Sequence, residues 1–290
     1  MSKLKETIKS KEILKETSNH VISQKKFKTV IESSDDSDST KKLKRLINMY
    51  LVNMSKLSDN MVPELEVRFG TKKIKSLTKI DFYNVIKSLL NHNFTNTLEN
   101  YYLKIITDNE SSNIRTQING FPNIQHYCKY NNIQNLPDSY NVEYIEKDYY
   151  INEGTKIYPL DFDDFNFRIS YQIEKIYNEN DKTIKNIKDK WNSTKKIFRY
   201  IKRFEFTHPD YPFLIHCSIV KTSRTNGGRL IPQFNIKDSD VFNSTEQYEI
   251  EIELHNPRVG IDTEFSTGLN IYNKLRQIIK YVLIGIQQTN

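Results

Sequence analysis

Glu64-Leu65-Glu66-Val67-Arg68 and Glu249-Ile250-Glu251-Ile252-Glu253-Leu254 are the two stretches that decide how this chain folds. In both, apolar residues stand at every second position, which is the period of a β-strand. Glutamate is depleted from strands, so its recurrence on the alternate positions needs a reason. The alternation puts Glu64, Glu66 and Arg68 on one face of one strand, and all three later glutamates on one face of another. Carboxylates gathered on one face repel unless water, cations or basic side chains compensate them. A single run of this kind reads first as the wet face of an antiparallel sheet. Two runs at opposite ends of one domain admit a second reading, because antiparallel barrels close by pairing their first and last strands. Closure would bring both sets together inside, and oxygen donors so gathered suit a hard divalent cation such as Mg²⁺ or Mn²⁺.

Outward from these runs, Leu43, Leu46, Ile47, Tyr50, Leu51 and Met54 recur at helical spacing and predict a helix from Lys41. Pro63 introduces the first glutamate strand, and Phe82, Val85, Ile86, Leu89 and Leu90 predict a second helix over 79–91. Beyond it the chain reads mostly as strands, at 99–107, 112–118, 142–151, 165–177, 195–206, 213–222, 229–236 and 246–254. Asn226-Gly227-Gly228 marks a hairpin. Eight or more strands with few long helical breaks predict a mainly β (α+β) fold, a closed antiparallel barrel with helices packed outside. A final helix over 267–286, with Leu269, Tyr272, Leu275, Ile278, Ile279, Val282, Leu283 and Ile286 in one stripe, reads as core packing against that barrel. No internal repeat is visible.

The middle strands also separate two faces. Phe165, Phe167, Ile169, Tyr171 and Ile173 oppose Arg168, Ser170, Gln172 and Glu174, while Arg115 shares a face with Asn113 and Gln117. Lys195, Arg199, Arg203 and Glu205 alternate with Phe198, Tyr200, Phe204 and Phe206. An ordinary barrel puts the apolar face inside. One covered by helices and loops can carry charge within, where carboxylates hold a metal and Arg and Lys clamp phosphate oxygens. Alternation by itself leaves both options open.

Composition bounds the rest. The chain has 290 residues, enough for a core that needs no disulfide staples. Its two cysteines, Cys128 and Cys217, provide no zinc-ligand spacing and point to a reduced intracellular compartment. No apolar run approaches the ~20 residues of a membrane span, and the N-terminus is polar rather than signal-like, so a soluble, cytoplasmic protein is expected. The formal charge is +7, but residues 1–45 hold 12 of the 43 Lys and Arg and only 7 of the 36 Asp and Glu. Most of the excess therefore lies in a Lys- and Ser-rich leader, expected to be disordered over 1–40 and followed by one domain over 41–290.

The order of these features resembles a known family, the triphosphate tunnel metalloenzymes, and in particular the metal-dependent RNA 5′-triphosphatases of fungal and large-DNA-virus mRNA capping systems. Over about residues 60–286, Glu64-Leu-Glu66 and Glu249-Ile-Glu251-Ile-Glu253 match the paired Glu-x-Glu strands that bind Mn²⁺ or Mg²⁺ in that family. Arg115, Lys147, Arg168, Arg199 and Arg203 look like its basic residues on successive inner strand faces. The stretches Phe167-Arg168-Ile169-Ser170 and Phe198-Arg199-Tyr200-Ile201-Lys202-Arg203-Phe204 are similar to the viral members. The resemblance implies that Glu64, Glu66, Glu251 and either Glu249 or Glu253 hold one divalent ion, that the basic residues neutralise a triphosphate, and that Glu174 or Glu205 positions the attacking water. It implies as substrate a 5′-triphosphate RNA, with nucleoside triphosphates accepted in vitro. It implies as partners the guanylyltransferase and methyltransferase units of a capping enzyme, and as location the cytoplasm, a viral factory or a virion. No guanylyltransferase Lys-x-Asp-Gly motif occurs up to Asn290, so a piece of a longer capping enzyme or a stand-alone subunit is expected.

The sequence departs from that family in the last strand, which has three glutamates where the family commonly uses one pair, and in the strand where His216, with Ser218 on the same face, stands in place of the usual acidic residue. His216-Cys217 with Arg224 also resembles a cysteine-phosphatase loop. The register is one residue too long, however, and the intervening Ser-Ile-Val-Lys-Thr-Ser has no glycine. No P-loop occurs. Two other functions fit the same residues: hydrolysis of inorganic triphosphate, thiamine triphosphate or nucleotides in the same tunnel, and non-catalytic RNA binding by a basic barrel.

Overall fold

The computed structural model describes residues 38–54, 56–70, 75–108, 113–136 and 142–287. Among the described residues five α-helices run over Asp38–Met54 (α1), Lys79–Asn91 (α2), Phe121–Tyr130 (α3), Lys182–Asp189 (α4) and Gly268–Gln287 (α5). The long strands are Met61–Phe69 (β1), Thr95–Thr107 (β2), Ile114–Asn119 (β3) and Val142–Tyr149 (β4). Three short ones follow, Ile151–Asn152 (β5), Thr155–Lys156 (β6) and Leu160–Phe162 (β7). The rest are Phe167–Tyr177 (β8), Lys196–His208 (β9), Tyr211–Thr222 (β10), the pair Thr225–Asn226 (β11) and Arg229–Leu230 (β12), and Gln247–Leu254 (β13).

Eight strands close into an antiparallel barrel in the order β1-β13-β10-β9-β2-β3-β4-β8, with β8 pairing back onto β1 and β7 added beside β8. The two glutamate strands are neighbours, and their register sets Glu66 opposite Glu253 and Arg68 opposite Glu251. On its other edge β1 pairs with β8, Glu64 opposite Gln172 and Glu66 opposite Ser170.

The alternation then decides what is inside, because both faces of the wall are covered. Leu65, Val67, Phe69, Phe167, Ile169, Ile215, Cys217, Ile250 and Ile252 point outward and pack under α1, α2 and α5. On the opposite side Leu103, Ile105, Ile118, Tyr144 and Phe198 pack under α3, α4 and the segment carrying Ile236 and Val241, with Trp191 buried among them. Apolar residues therefore form two layers outside the wall, and the charged face is left to the lumen. Helix α2 begins with a reciprocal cap, the Thr78 hydroxyl accepting from the Asp81 backbone while the Asp81 carboxylate accepts from the Thr78 backbone.

Helices α2 and α5 touch backbone to backbone at Gly285, where an added Cβ would lie 2.6 Å from Val85 Cα. Gly285→Ala is therefore expected to destabilise the fold by about 1–3 kcal/mol through overpacking, despite alanine's better helix propensity. Urea unfolding of the variant measures this.

Several boundaries and two elements differ from the sequence expectation. The first helix begins at Asp38 rather than Lys41, and the leader as far as residue 37 lies outside the described residues. The strand expected over 229–236 amounts to the two residues of β12. Pro232 removes a ladder donor there, and the segment keeps a single isolated bridge, Gln233 to Lys196. The Gly227-Gly228 hairpin is present, both glycines having positive φ, 55° and 78°. Helices α3 and α4 were not anticipated: each buries only two residues, Ile124 and Tyr127 or Ile184 and Ile187, too few for a periodic stripe. No helix among the described residues is long and apolar enough to cross a membrane.

Candidate active site in the barrel lumen

Inward positions follow from the register. Glu64 and Glu66 on β1 and Glu251 on β13 are 8%, 6% and 6% exposed, far below the usual exposure of carboxylates. Cations from neighbouring strands reach them. Lys147 of β4 places Nζ 2.5 Å from Glu64 and 3.0 Å from Glu66. Arg68 pairs with Glu251 and lies 3.3 Å from Glu66. Arg203 of β9 binds the same Glu251 carboxylate at 3.2 Å, takes the Ser218 hydroxyl at 3.2 Å and lies over the Tyr102 ring.

The carboxylates do not share these cations equally. Burial raises both Glu66 and Glu251, but Lys147 and Arg68 outweigh it at Glu66, and Arg68 and Arg203 hold Glu251 well below the usual carboxylate range. Burial instead pushes Glu64 well above its ordinary value, opposed by Lys147 but reinforced by Glu66 and Glu253. Glu253, directly across from Glu66, is raised by burial too, against the pull of His216. Two carboxylates on adjacent strands thus resist ionising where they stand.

A second cluster is cationic. Lys104 of β2 sits opposite Arg199 on one side and Gln117 on the other. Burial, Arg203 and Arg115 together lower its pKa to about 8, and Glu251 offsets them only in part. Arg199 pairs with Glu249. Arg115 of β3 lies 3.5 Å from Glu174, which is also 4.0 Å from Lys147. Glu174 therefore stands between the cationic cluster and the carboxylates. Along β9 the inward positions run Arg199, Ile201, Arg203 and Glu205, from cation to carboxylate.

His216 of β10 is 5% exposed, with Nε2 3.3 Å from Glu205 and Nδ1 3.5 Å from Glu253. The hydrogen bond from His216 lowers the Glu205 pKa despite partial burial, and Thr97 donates to the same carboxylate at 3.2 Å. Cys217, one residue on, faces the outer core, where burial pushes its thiol up; it has none of the exposure or anion-stabilising surroundings of a nucleophile.

The twelve residues singled out from sequence thus stand on the inward face of the wall: Glu64, Glu66, Arg115, Lys147, Arg168, Glu174, Arg199, Arg203, Glu205, Glu249, Glu251 and Glu253. Arg168 lies on that face opposite Arg68 of β1, with its guanidinium bound at 2.9 Å by Asp161 of β7. Sequence reasoning missed Lys104 as a site residue and marked His216 only as a departure from the family pattern. For Lys104 the signal was present, since it alternates with Leu103 and Ile105.

As the side chains stand, no three His, Cys, Asp or Glu among the described residues converge closely enough to hold a metal ion. The donor chemistry nevertheless fits a divalent cation. Glu64, Glu66 and Glu253 are oxygen donors on two adjacent strands, and their mutual repulsion is what such a cation relieves.

A closed antiparallel barrel that keeps its charges inside is a tunnel barrel, the fold the family resemblance implies. Among solved structures the chain is similar to the Pct1 RNA triphosphatase of S. pombe, at 10% identity over 88% of this chain and 95% of that one, with a TM-score of 0.46. The same protein in complex with the Spt5 CTD gives 10% identity, 87% and 95% coverage, and 0.45. A conserved hypothetical protein from Pyrococcus furiosus gives 12%, 76% and 90%, and 0.32. No family model and no curated protein matches the chain.

Proposed function

We propose that this protein is a metal-dependent RNA 5′-triphosphatase, which removes the γ-phosphate of a nascent transcript as the first step of mRNA capping. The observation that carries the reading is the division of the lumen, with Glu64, Glu66, Glu251 and Glu253 gathered on β1 and β13 and Lys104, Arg115, Arg199 and Arg203 on β2, β3 and β9. Glu253 rather than Glu249 completes the metal-holding set with Glu64, Glu66 and Glu251, since it faces Glu66 while Glu249 is taken by Arg199. A Mg²⁺ or Mn²⁺ ion held there would neutralise the terminal phosphate and draw charge toward its oxygens.

The chain's own groups do the rest. Lys104, Arg115, Arg199 and Arg203 bind the triphosphate oxygens and stabilise the charge that builds on the leaving diphosphate. Lys147 compensates Glu64 and Glu66 before substrate enters and then turns to the γ-phosphate. Glu174, between the two clusters, orients the attacking water in line, and Glu205 fixes His216. Orthophosphate leaves, and the diphosphate-ended RNA is the substrate a guanylyltransferase consumes.

Steady-state comparison of γ-labelled triphosphate RNA with ATP and tripolyphosphate tests the substrate assignment. RNA is expected to have the higher kcat/KM. A preference for either small triphosphate, with no effect of RNA length, would assign the lumen to those instead.

The lowered pKa of Lys104 gives a pH dependence. Lys104 carries its charge below about 8 and loses it above. Affinity for triphosphate is therefore expected to fall as pH rises through about 8, which reads as a rise in KM. Lys104→Gln should have a high KM at all pH values and lose this step.

A further inference from the structure

We infer that His216 is itself a metal ligand, a nitrogen donor beside the carboxylates of β1 and β13. This deepens the metal part of the function proposed above and rests on it.

His216 is enclosed on the inner face of β10, next to β13, opposite Glu251 in one register and Glu205 in the other. Its two ring nitrogens have different surroundings. Nε2 meets Glu205 Oε2 at 3.3 Å, and in the tautomer whose Nε2 donates to that carboxylate the lone pair is on Nδ1. Nδ1 is buried and makes no hydrogen bond. It points instead at Glu253 Oε2, 3.5 Å away.

Nδ1 and Glu253 Oε2, 3.5 Å apart, would both serve as donors to a cation held between them. Glu205 then has the part of an outer carboxylate that fixes the tautomer of a ligating histidine and raises its basicity. Thr97 in turn holds Glu205 from β2. Glu66, Glu253 and His216 come from three consecutive strands, β1, β13 and β10, and face the same lumen. Mg²⁺ takes oxygen donors, whereas imidazole suits later divalent metals, so one nitrogen among carboxylates shifts selectivity along the series.

Pulsed electron paramagnetic resonance of the Mn²⁺-loaded protein tests this directly. An imidazole nitrogen coupling is expected in the wild type, altered by ¹⁵N-histidine labelling and lost in His216→Asn. Calorimetric titration is expected to show Mn²⁺ binding at least about 10-fold tighter than Mg²⁺, with the ratio falling toward one in His216→Asn and in His216→Asp. Mn²⁺ bound to the wild type without nitrogen coupling would overturn the inference, and needs no variant to fold. If Glu66→Gln abolishes Mn²⁺ binding while the coupling is absent, the carboxylate site stands and only His216 is excluded. Mn²⁺ that binds wild type and Glu66→Gln alike lies elsewhere and overturns both readings.

Discussion

Glu66→Gln is expected to lower kcat/KM for γ-phosphate removal by at least about 10²-fold, with the fold left intact. Glu66 lies directly across from Glu253, accepts from Lys147 at 3.0 Å and is 3.3 Å from Arg68, so it joins both halves of the carboxylate set. Glutamine keeps the shape and removes the charge. Because Glu64 is already raised partly by Glu66, removing that charge relieves repulsion in the metal-free barrel and should not unfold it. The activity loss should therefore come with a lost Mn²⁺ titration and only a modest fall in thermal stability, since Lys147 and Arg68, which lower the Glu66 pKa, keep Glu64 and Glu251 as partners. Glu249→Gln supplies the contrast: its carboxylate is engaged by Arg199, so the metal titration should be retained.

Lys147→Met is expected to have the largest effect on stability. Its ammonium touches Glu64 and Glu66 and lies 4.0 Å from Glu174, and these three carboxylates raise its pKa against the effect of burial. Removing one partner of a buried charge cluster leaves the rest uncompensated, a cost of about 3 kcal/mol or more. A divalent cation can replace the lost charge, because binding to the folded state alone stabilises it by mass action. The variant should thus melt well below wild type in chelator and gain more than wild type when Mn²⁺ is added. Equal stability of the two in chelator, measured calorimetrically, would show that Lys147 does not compensate these glutamates.

How far the sequence reaches can be seen residue by residue. Strands β1 and β13 were legible because glutamate alternates with Leu65 and Val67, and with Ile250 and Ile252. Their pairing followed from barrel closure. Which face turns inward was not legible, since alternation is symmetric. It is settled by long-range packing of α1, α2 and α5 on one side and α3 and α4 on the other, and the last two helices bury too few residues to announce themselves. Arg168 carried the same alternating signal as Arg199 and faces the same way, but its partner Asp161 was not legible, because β7 is a three-residue strand without a pattern. Lys104 and His216 belong to no repeated charged pattern such as Glu-x-Glu. Their chemistry comes from neighbours distant in sequence: Arg203 and Arg115 for the lysine, Glu205 and Glu253 for the histidine.

The most direct test of the central claim is the fate of a labelled γ-phosphate on a triphosphate-ended RNA. With Mn²⁺ present, the wild-type protein should release it as orthophosphate and leave a diphosphate end. Release should stop in chelator and in Glu66→Gln. No release from the wild type, or release that persists unchanged without metal and in Glu66→Gln, would contradict a triphosphatase centred on the charged lumen.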